Sequence, residues 1–364
     1  MKSIAISLSL FLANFCFAID GGLYPEDGSM KMTSWVYSGG KTGPRISDNE
    51  ILAIENAFRS EGVEPIVLPQ YEWMQDMLFF DQNQNIVELA LHSTGDGDDQ
   101  DLTIGILNNE WGQNEVNFVE YEALKHIAKG RIQLKNVFLE GGQTITGKFE
   151  NGDNYIIMYE QRFKGMLSQL TRKQPDLTMS QLKEIVGLEL NIKADNIILL
   201  PAIIGSEHLD LYMKALPNGT ILLDDPSARL SVINGLEGKF YDEIRIFESK
   251  SDFSYLRERY NKKIKIVKEI LEEKFKVYPI AGRFFSYTAY TSTFSYRSEL
   301  VNFFNGVSGH NENQFYITNH ARGNSELERY WASNLEKFGF KVNHIHFVGN
   351  YSSGAGLDCM GSPL

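Results

Sequence analysis

An α/β fold, closed into a single domain with five-fold pseudosymmetry, is predicted by three observations. A helix followed by a strand recurs five times, the recurrences begin roughly 60 to 75 residues apart, and no Pro-, Gly- or Ser-rich linker separates them. A fixed period of this kind marks a repeat architecture, because one unit cannot bury its apolar face alone and must stack on its neighbours. If the units are arranged radially, their equivalent loops converge near the axis, where a shared site would form.

Residues 1–18 precede the repeats: Lys2, an apolar stretch from Ile4 to Phe17, and the small residue Ala18. The stretch is too short and wrongly flanked for a stable span, so it is expected to be a signal peptide cleaved after Ala18. Phe15 is too bulky for the lipoprotein alternative at Cys16. The expectation is a secreted or periplasmic product, residues 19–364, that is soluble and carries one cysteine, Cys359.

The first unit opens at Ser47, with Glu50 at capping-box spacing, apolar Ile51, Ile54 and Phe58, a stop at Gly62 and a strand from Val63 to Leu68. The second is a helix from Val119 to Ala128 and a strand from Ile132 to Leu139. Thr178 and Gln181 repeat the capping-box spacing for the third helix, through Val186, which leads to the apolar run Ile197 to Leu200. The fourth helix spans Asp252 to Phe275, with Ile264, Val267, Ile270 and Leu271 periodic, ahead of Val277 to Ile280. In the fifth, Ser325 to Glu328 caps a helix bearing Leu327, Trp331, Leu335 and Phe338, followed by Val342 to Val348. Asn218-Gly219 marks a hairpin turn between strands Leu209 to Leu216 and Thr220 to Leu223.

Composition narrows the function classes. With 43% hydrophobic and 12% aromatic residues and only 10 Pro, the chain has core material and no disordered or disulfide-scaffold character. Against 35 Lys+Arg stand 47 Asp+Glu, a formal net charge of −12, which repels phosphate backbones and argues against a nucleic-acid partner.

A polar residue stands just past the strand of four units: Asp76, Glu140, His208 and Cys359; the fourth unit offers Arg283 and Arg297. In His208-Leu209-Asp210, strand alternation would put the imidazole and carboxylate on one face and Leu209 and Leu211 in the core. Trp73-Met74-Gln75-Asp76 lies at an element boundary, where an N-cap or turn role is the plain alternative. Glu140-Gly141-Gly142 places a carboxylate beside residues that permit close backbone approach, and Gly354 to Asp358 supply a small-residue approach to Cys359.

Together these segments resemble the guanidino-group-modifying enzyme superfamily, the penteins of α/β-propeller fold, over most of residues 19–364. Trp73 to Asp76 resembles the Trp-x-Gln-Asp of protein-arginine deiminases, and His208 to Asp210 the superfamily's His-x-Asp. Glu140-Gly141-Gly142 resembles the acidic-Gly-Gly turn of arginine and agmatine deiminases, and Gly354 to Leu364 the terminal Cys segment of arginine deiminases. Two positions depart: Gly361 stands where Ser or Thr is usual, and Asp358 is an acidic neighbour expected to oppose thiolate formation.

The resemblance implies hydrolysis of a guanidinium, with peptidyl-arginine as the expected substrate and a free small guanidino compound as the alternative. Asp76 and Asp210 would hold the guanidinium, with Glu140, Trp73 and Arg297 completing the site. Cys359 would attack the central carbon and His208 would protonate the leaving amine, then activate water. An amidinotransferase would share the covalent intermediate, and a non-catalytic binding protein of the same fold is the alternative from another class. A free amino acid would need a cation for its carboxylate, from Arg283, Arg297 or Arg322.

No cofactor is implied. His344 and His346 would share a strand face but have no third zinc ligand at a readable spacing, and the run from Asp96 to Asp101 has neither Gly at the sixth position nor the terminal Glu of an EF-hand loop. A papain-like protease is a poorer alternative, since that nucleophile needs a following helix and a downstream His, and only five residues follow Cys359.

Overall fold

The computed structural model describes residues 19–38, 47–68, 78–88, 92–93, 101–102, 127–137, 139, 141–172, 174–203, 208–251, 254–285, 299–346 and 357–364. Among them, one three-stranded mixed sheet occurs five times. In each, a first strand pairs antiparallel with a central strand, and the central strand pairs parallel with a return strand. Parallel pairing requires a crossover, and in four of the five sheets a helix read from the sequence lies within it; most of the helix expected for the second sheet lies outside the described residues.

The sheets, in the order first, central, return, begin with Gly361–Pro363, Ser34–Ser38 and Glu64–Leu68. Next come Phe79–Phe80, Asn85–Glu88 and Gly130–Gln133, then Thr144–Lys148, Asn154–Tyr159 and Ile197–Leu200. Met213–Leu216, Thr220–Asp224 and Lys276–Ile280 form the fourth, and Val307–His310, Gln314–Asn319 and Lys341–Ile345 the fifth. The first sheet takes its antiparallel strand from the far end of the sequence, with Trp35 opposite Pro363 and Tyr37 opposite Gly361. That closure fixes the backbone just ahead of Gly361, where Cys359 lies.

The crossover helices form where caps and periodicity dictate. Helix Asp48–Ser60 has the capping box between Ser47 and Glu50 and buries Ile54 and Phe58, and helix Met179–Leu190 has the box between Thr178 and Gln181 and stops at Asn191 in the left-handed region. Helix Ser254–Glu272 buries Tyr260, Ile264, Val267 and Leu271, one stripe at helical spacing. Each such side chain contributes about 1.5–3 kcal/mol when fully buried. Asn218 and Gly219 both have positive φ (64° and 66°), as the two-residue hairpin requires.

Several expectations are corrected. The strand expected to run from Ile132 to Leu139 is Gly130–Gln133, because the backbone N–H groups of Lys135, Asn136 and Val137 turn out of the ladder to the Glu189 carboxylate at 3.2, 3.1 and 3.2 Å. The fifth helix, Ser325–Leu335, has Asn324 at its N-cap, and the Glu328 carboxylate accepts from the Ala321 N–H at 2.7 Å instead of closing a box with Ser325. Helices Glu160–Thr171 and Lys239–Ser249 were not expected; neither has a side-chain cap bond to announce it. The leader 1–18, the expected helix from Val119 as far as 126, and the acidic residues 96–100 lie outside the described residues. Among the described residues no helix is long and apolar enough to cross a membrane.

Candidate active site

The described residues His208, Asp210 and Cys359, with Gly141 and Gly142, occupy one recurring place, the turn that leads into the first strand of a sheet. The turn Gly141–Gln143 leads into Thr144–Lys148, Leu209–Leu211 precedes Met213–Leu216, and Asp358–Met360 leads into Gly361–Pro363. In the fifth sheet the corresponding residue is Asn305, two before Val307–His310, which the sequence reading passed over. Asp76 and Trp73, ahead of Phe79–Phe80, lie outside the described residues, as do Glu140 and Arg297. Cys359 contributes backbone to its 3-10 turn; its side chain is outside the described part.

Contrary to expectation, His208 and Asp210 do not alternate along a strand. Leu209–Leu211 is a 3-10 turn closed by the Tyr212 N–H on the Leu209 carbonyl at 3.1 Å, and the strand begins only at Met213. The alternation rule fails because Leu209, Asp210 and Leu211 are all buried, at 0, 2 and 6% exposure. The turn still separates the two side chains usefully: His208 is half-buried and Asp210 is interior. The His208 ring lies so close on Gly142 that a Cβ there would stand 2.0 Å from Nδ1, so the second glycine of Glu140-Gly141-Gly142 serves the close approach expected of it.

Asn305 joins two of these turns. Its Nδ2 donates to Asp210 Oδ2 at 2.9 Å, and its Oδ1 accepts from the Asp358 N–H at 3.0 Å, with Asn305 itself 1% exposed. One planar amide therefore ties the Asp210 carboxylate to the turn bearing Cys359.

Asp358 does not face its neighbours as an uncompensated anion. Lys214 Nζ lies 2.5 Å from Asp358 Oδ2, and both side chains are almost fully buried. Burial works against the Lys214 charge, but Asp358, Glu26 and Asp210 together hold its pKa above the ordinary lysine value. Glu26 retains some access to solvent, yet enough protein surrounds its carboxyl that burial, reinforced by Asp358, pushes its pKa up to about 8. Glu26, Lys214 and Asn305 were missed from the sequence; the available signal was Lys214, a cation inside the apolar run Met213–Leu216 that cannot be buried without a carboxylate.

Of the cations considered for a substrate carboxylate, Arg283 is fully buried and donates to the Tyr260 hydroxyl at 3.2 Å, which in turn donates to Asp224 at 3.0 Å. Its guanidinium also lies 5.1 Å from the Phe285 ring centroid. Arg322 is exposed, with φ of 51°. His346 stacks on His320 at 4.3 Å, while His344 packs edge-on to Phe303. Among the described residues no group of three or more His, Cys, Asp or Glu could hold a metal ion.

The chain superposes on the agmatine deiminase of C. jejuni with a TM-score of 0.56 at 13% identity, over 94% of this chain and 95% of that one. The agmatine deiminase of Enterococcus faecalis matches at 0.58 and 10% identity, over 96% and 98%. The fold is that of the penteins. A structure provisionally described as a peptidyl-arginine deiminase matches this chain at 0.56 and 13% identity, over 94% and 98%. No protein-family model matches the chain, and no curated protein matches it in sequence.

Proposed function

We propose that this chain hydrolyses a guanidinium group, converting a peptidyl-arginine side chain to citrulline with release of ammonia. The observation that carries the reading is the Asn305 amide between Asp210 and the Cys359 turn, in a chain of pentein fold with His208 set on Gly142 one turn away. The five sheets form one catalytic domain of residues 19–364, arranged radially as a five-fold α/β-propeller, and residues 1–18 direct export. The enzyme is secreted or periplasmic.

A guanidinium is planar, cationic and weakly electrophilic, so it must be held by charge-assisted bonds and attacked by a strong nucleophile. Asp210 and Asp76 accept its N–H groups, with Glu140 as a third carboxylate and Trp73 and Arg297 beside the substrate. The Cys359 thiolate adds to the central carbon. His208 gives a proton to the departing nitrogen, which leaves as ammonia, and the C–S bond remains as a thiouronium. The neutral imidazole then takes a proton from water, the oxygen adds to the same carbon, and the thiolate leaves while the remaining O–H proton passes to solvent, giving the ureido product.

A second reading, a small guanidino substrate such as agmatine, is supported by the two agmatine deiminases of like fold. Agmatine and peptidyl-arginine share the lack of a free α-carboxylate, and the engagement of Arg283 with Tyr260 supports substrates of that kind over free arginine. The test is ammonia and ureido-product formation on benzoyl-arginine amide, agmatine and arginine, with Cys359→Ala as control. Product from the blocked substrate, lost in the variant, is expected; product from agmatine alone would replace the peptidyl reading with the second, and none from any substrate would remove both.

A further inference from the structure

We propose that Asn305 is a positioning residue for this reaction, holding the guanidinium-binding carboxylate of Asp210 in register with the turn that carries Cys359. The inference rests on the function proposed above and adds a residue to it from the one sheet whose entry turn had no assigned role.

Three observations carry it. Asn305 occupies in the fifth sheet the place that the His208–Asp210 turn and the Cys359 turn occupy in theirs. Both ends of its amide are used on those two turns, Nδ2 on Asp210 Oδ2 and Oδ1 on the Asp358 N–H, and at 1% exposure water does not compete for either bond. The segment holding Asn305 is itself fixed: the Tyr316 hydroxyl donates to the carbonyls of Phe303 and Phe304 at 2.8 and 2.9 Å, and the Phe304 N–H donates to Asn302 Oδ1 at 3.0 Å. A rigid loop thus presents a rigid planar group to two turns from other sheets.

The chemistry makes the register matter. The nucleophile must meet the guanidinium carbon while the carboxylate holds its nitrogens, and a small misplacement between them removes much of the advantage of a preformed site. Asparagine fits because it donates at one end and accepts at the other. Aspartate at this position would keep an acceptor for the Asp358 N–H but set a second carboxylate against Asp210; alanine would release both turns.

The experiment compares alkylation of Cys359 in the full chain by 2-chloroacetamidine, which needs the carboxylate and thiol together, and by chloroacetamide, a neutral reagent of the same shape. Peptide mass mapping reports the modified cysteine. The wild type is expected to favour the amidine, and both Asn305→Ala and Asn305→Asp to lose that preference. The amidine rate should fall roughly 10- to 100-fold, the loss of about one charge-assisted hydrogen bond, while the neutral rate changes by less than about threefold. Equal slowing with both reagents, or an undiminished preference, would overturn the positioning role. A wild type without preference would instead remove the guanidinium site itself, a different outcome seen before any variant is made. Asn305→Asp, near-isosteric, keeps the test decisive if the alanine variant does not fold.

Discussion

Lys214 and Asp358 meet at 2.5 Å in the interior, and the ammonium that joins them also feels Glu26 and Asp210. One cation cannot balance three carboxylates. Asp358 has the direct contact and Asp210 the Asn305 donor, while Glu26 accepts from the Thr146 N–H at a longer 3.4 Å, and burial, reinforced by Asp358, pushes its pKa up to about 8.

A pH-dependent stability follows from Glu26. Its pKa rises from 4.5 to about 8 on folding, so between those values the native state holds a proton that the unfolded chain releases. The associated stability is complete below the lower value and is lost as pH rises through the upper one. Glu26→Gln removes this dependence. The melting temperature of the variant relative to wild type should therefore climb steadily from about pH 5 to about pH 9. A difference that stays constant across that range would contradict the protonated Glu26.

Gly361 departs from the Ser or Thr of arginine deiminases because Trp35 fills the space. A Cβ on Gly361 would stand 2.3 Å from the Trp35 ring, which cannot retreat, being stacked on Phe58 at 4.2 Å and Tyr37 at 4.9 Å. Gly361→Ser is expected to destabilise the fold by about 1–3 kcal/mol, the range for overpacking a tight core. Urea denaturation checks this; unchanged stability would mean that Trp35 yields.

Gly142→Ala tests the seat of His208. The added methyl overlaps the imidazole and must displace it, since Nδ1, Cγ and Cε1 would all lie within 2.6 Å. Turnover should drop by roughly 10²- to 10⁴-fold, the range for losing a positioned acid-base group, with the thermal transition retained. Full activity in a folded variant would show that His208 has no need of this position.

Glu189 holds the segment that leads to the turn Gly141–Gln143, at the entry to the third sheet. It is 3% exposed, its Oε2 accepts three backbone N–H groups, and its Oε1 accepts from Asn136 Nδ2 at 2.5 Å. Glu189→Gln must aim an amide N–H at one of these donors. A loss of about 1–3 kcal/mol is expected in urea unfolding, with the slope unchanged. Stability equal to wild type would contradict the anchoring role.

Elements whose signal is local were legible in the sequence. Ser47 with Glu50 and Thr178 with Gln181 close the boxes their spacing announces, Asn218-Gly219 makes its hairpin, and Ile197–Leu200 is the strand its apolar run implied. Elements set by distant partners were not: Lys135 to Val137 leave their ladder for Glu189, and Leu209–Leu211 coils because all three side chains are buried on every side. The same division runs through the site. His208, Asp210 and Cys359 carry motif signals, whereas Asn305 and Glu26 are single polar residues whose partners lie in other sheets, and no spacing rule connects them.

The central claim is that Cys359 attacks a guanidinium and carries its carbon through turnover. The most direct measurement is an acid quench during steady-state turnover of benzoyl-arginine amide, followed by mass analysis of the peptide that contains Cys359. The account predicts a fraction of that peptide heavier by the mass of the substrate less ammonia, and no such species in Cys359→Ala, which also releases no ammonia. Ammonia release that persists in the variant, with Cys359 of the wild type unmodified throughout, would contradict it.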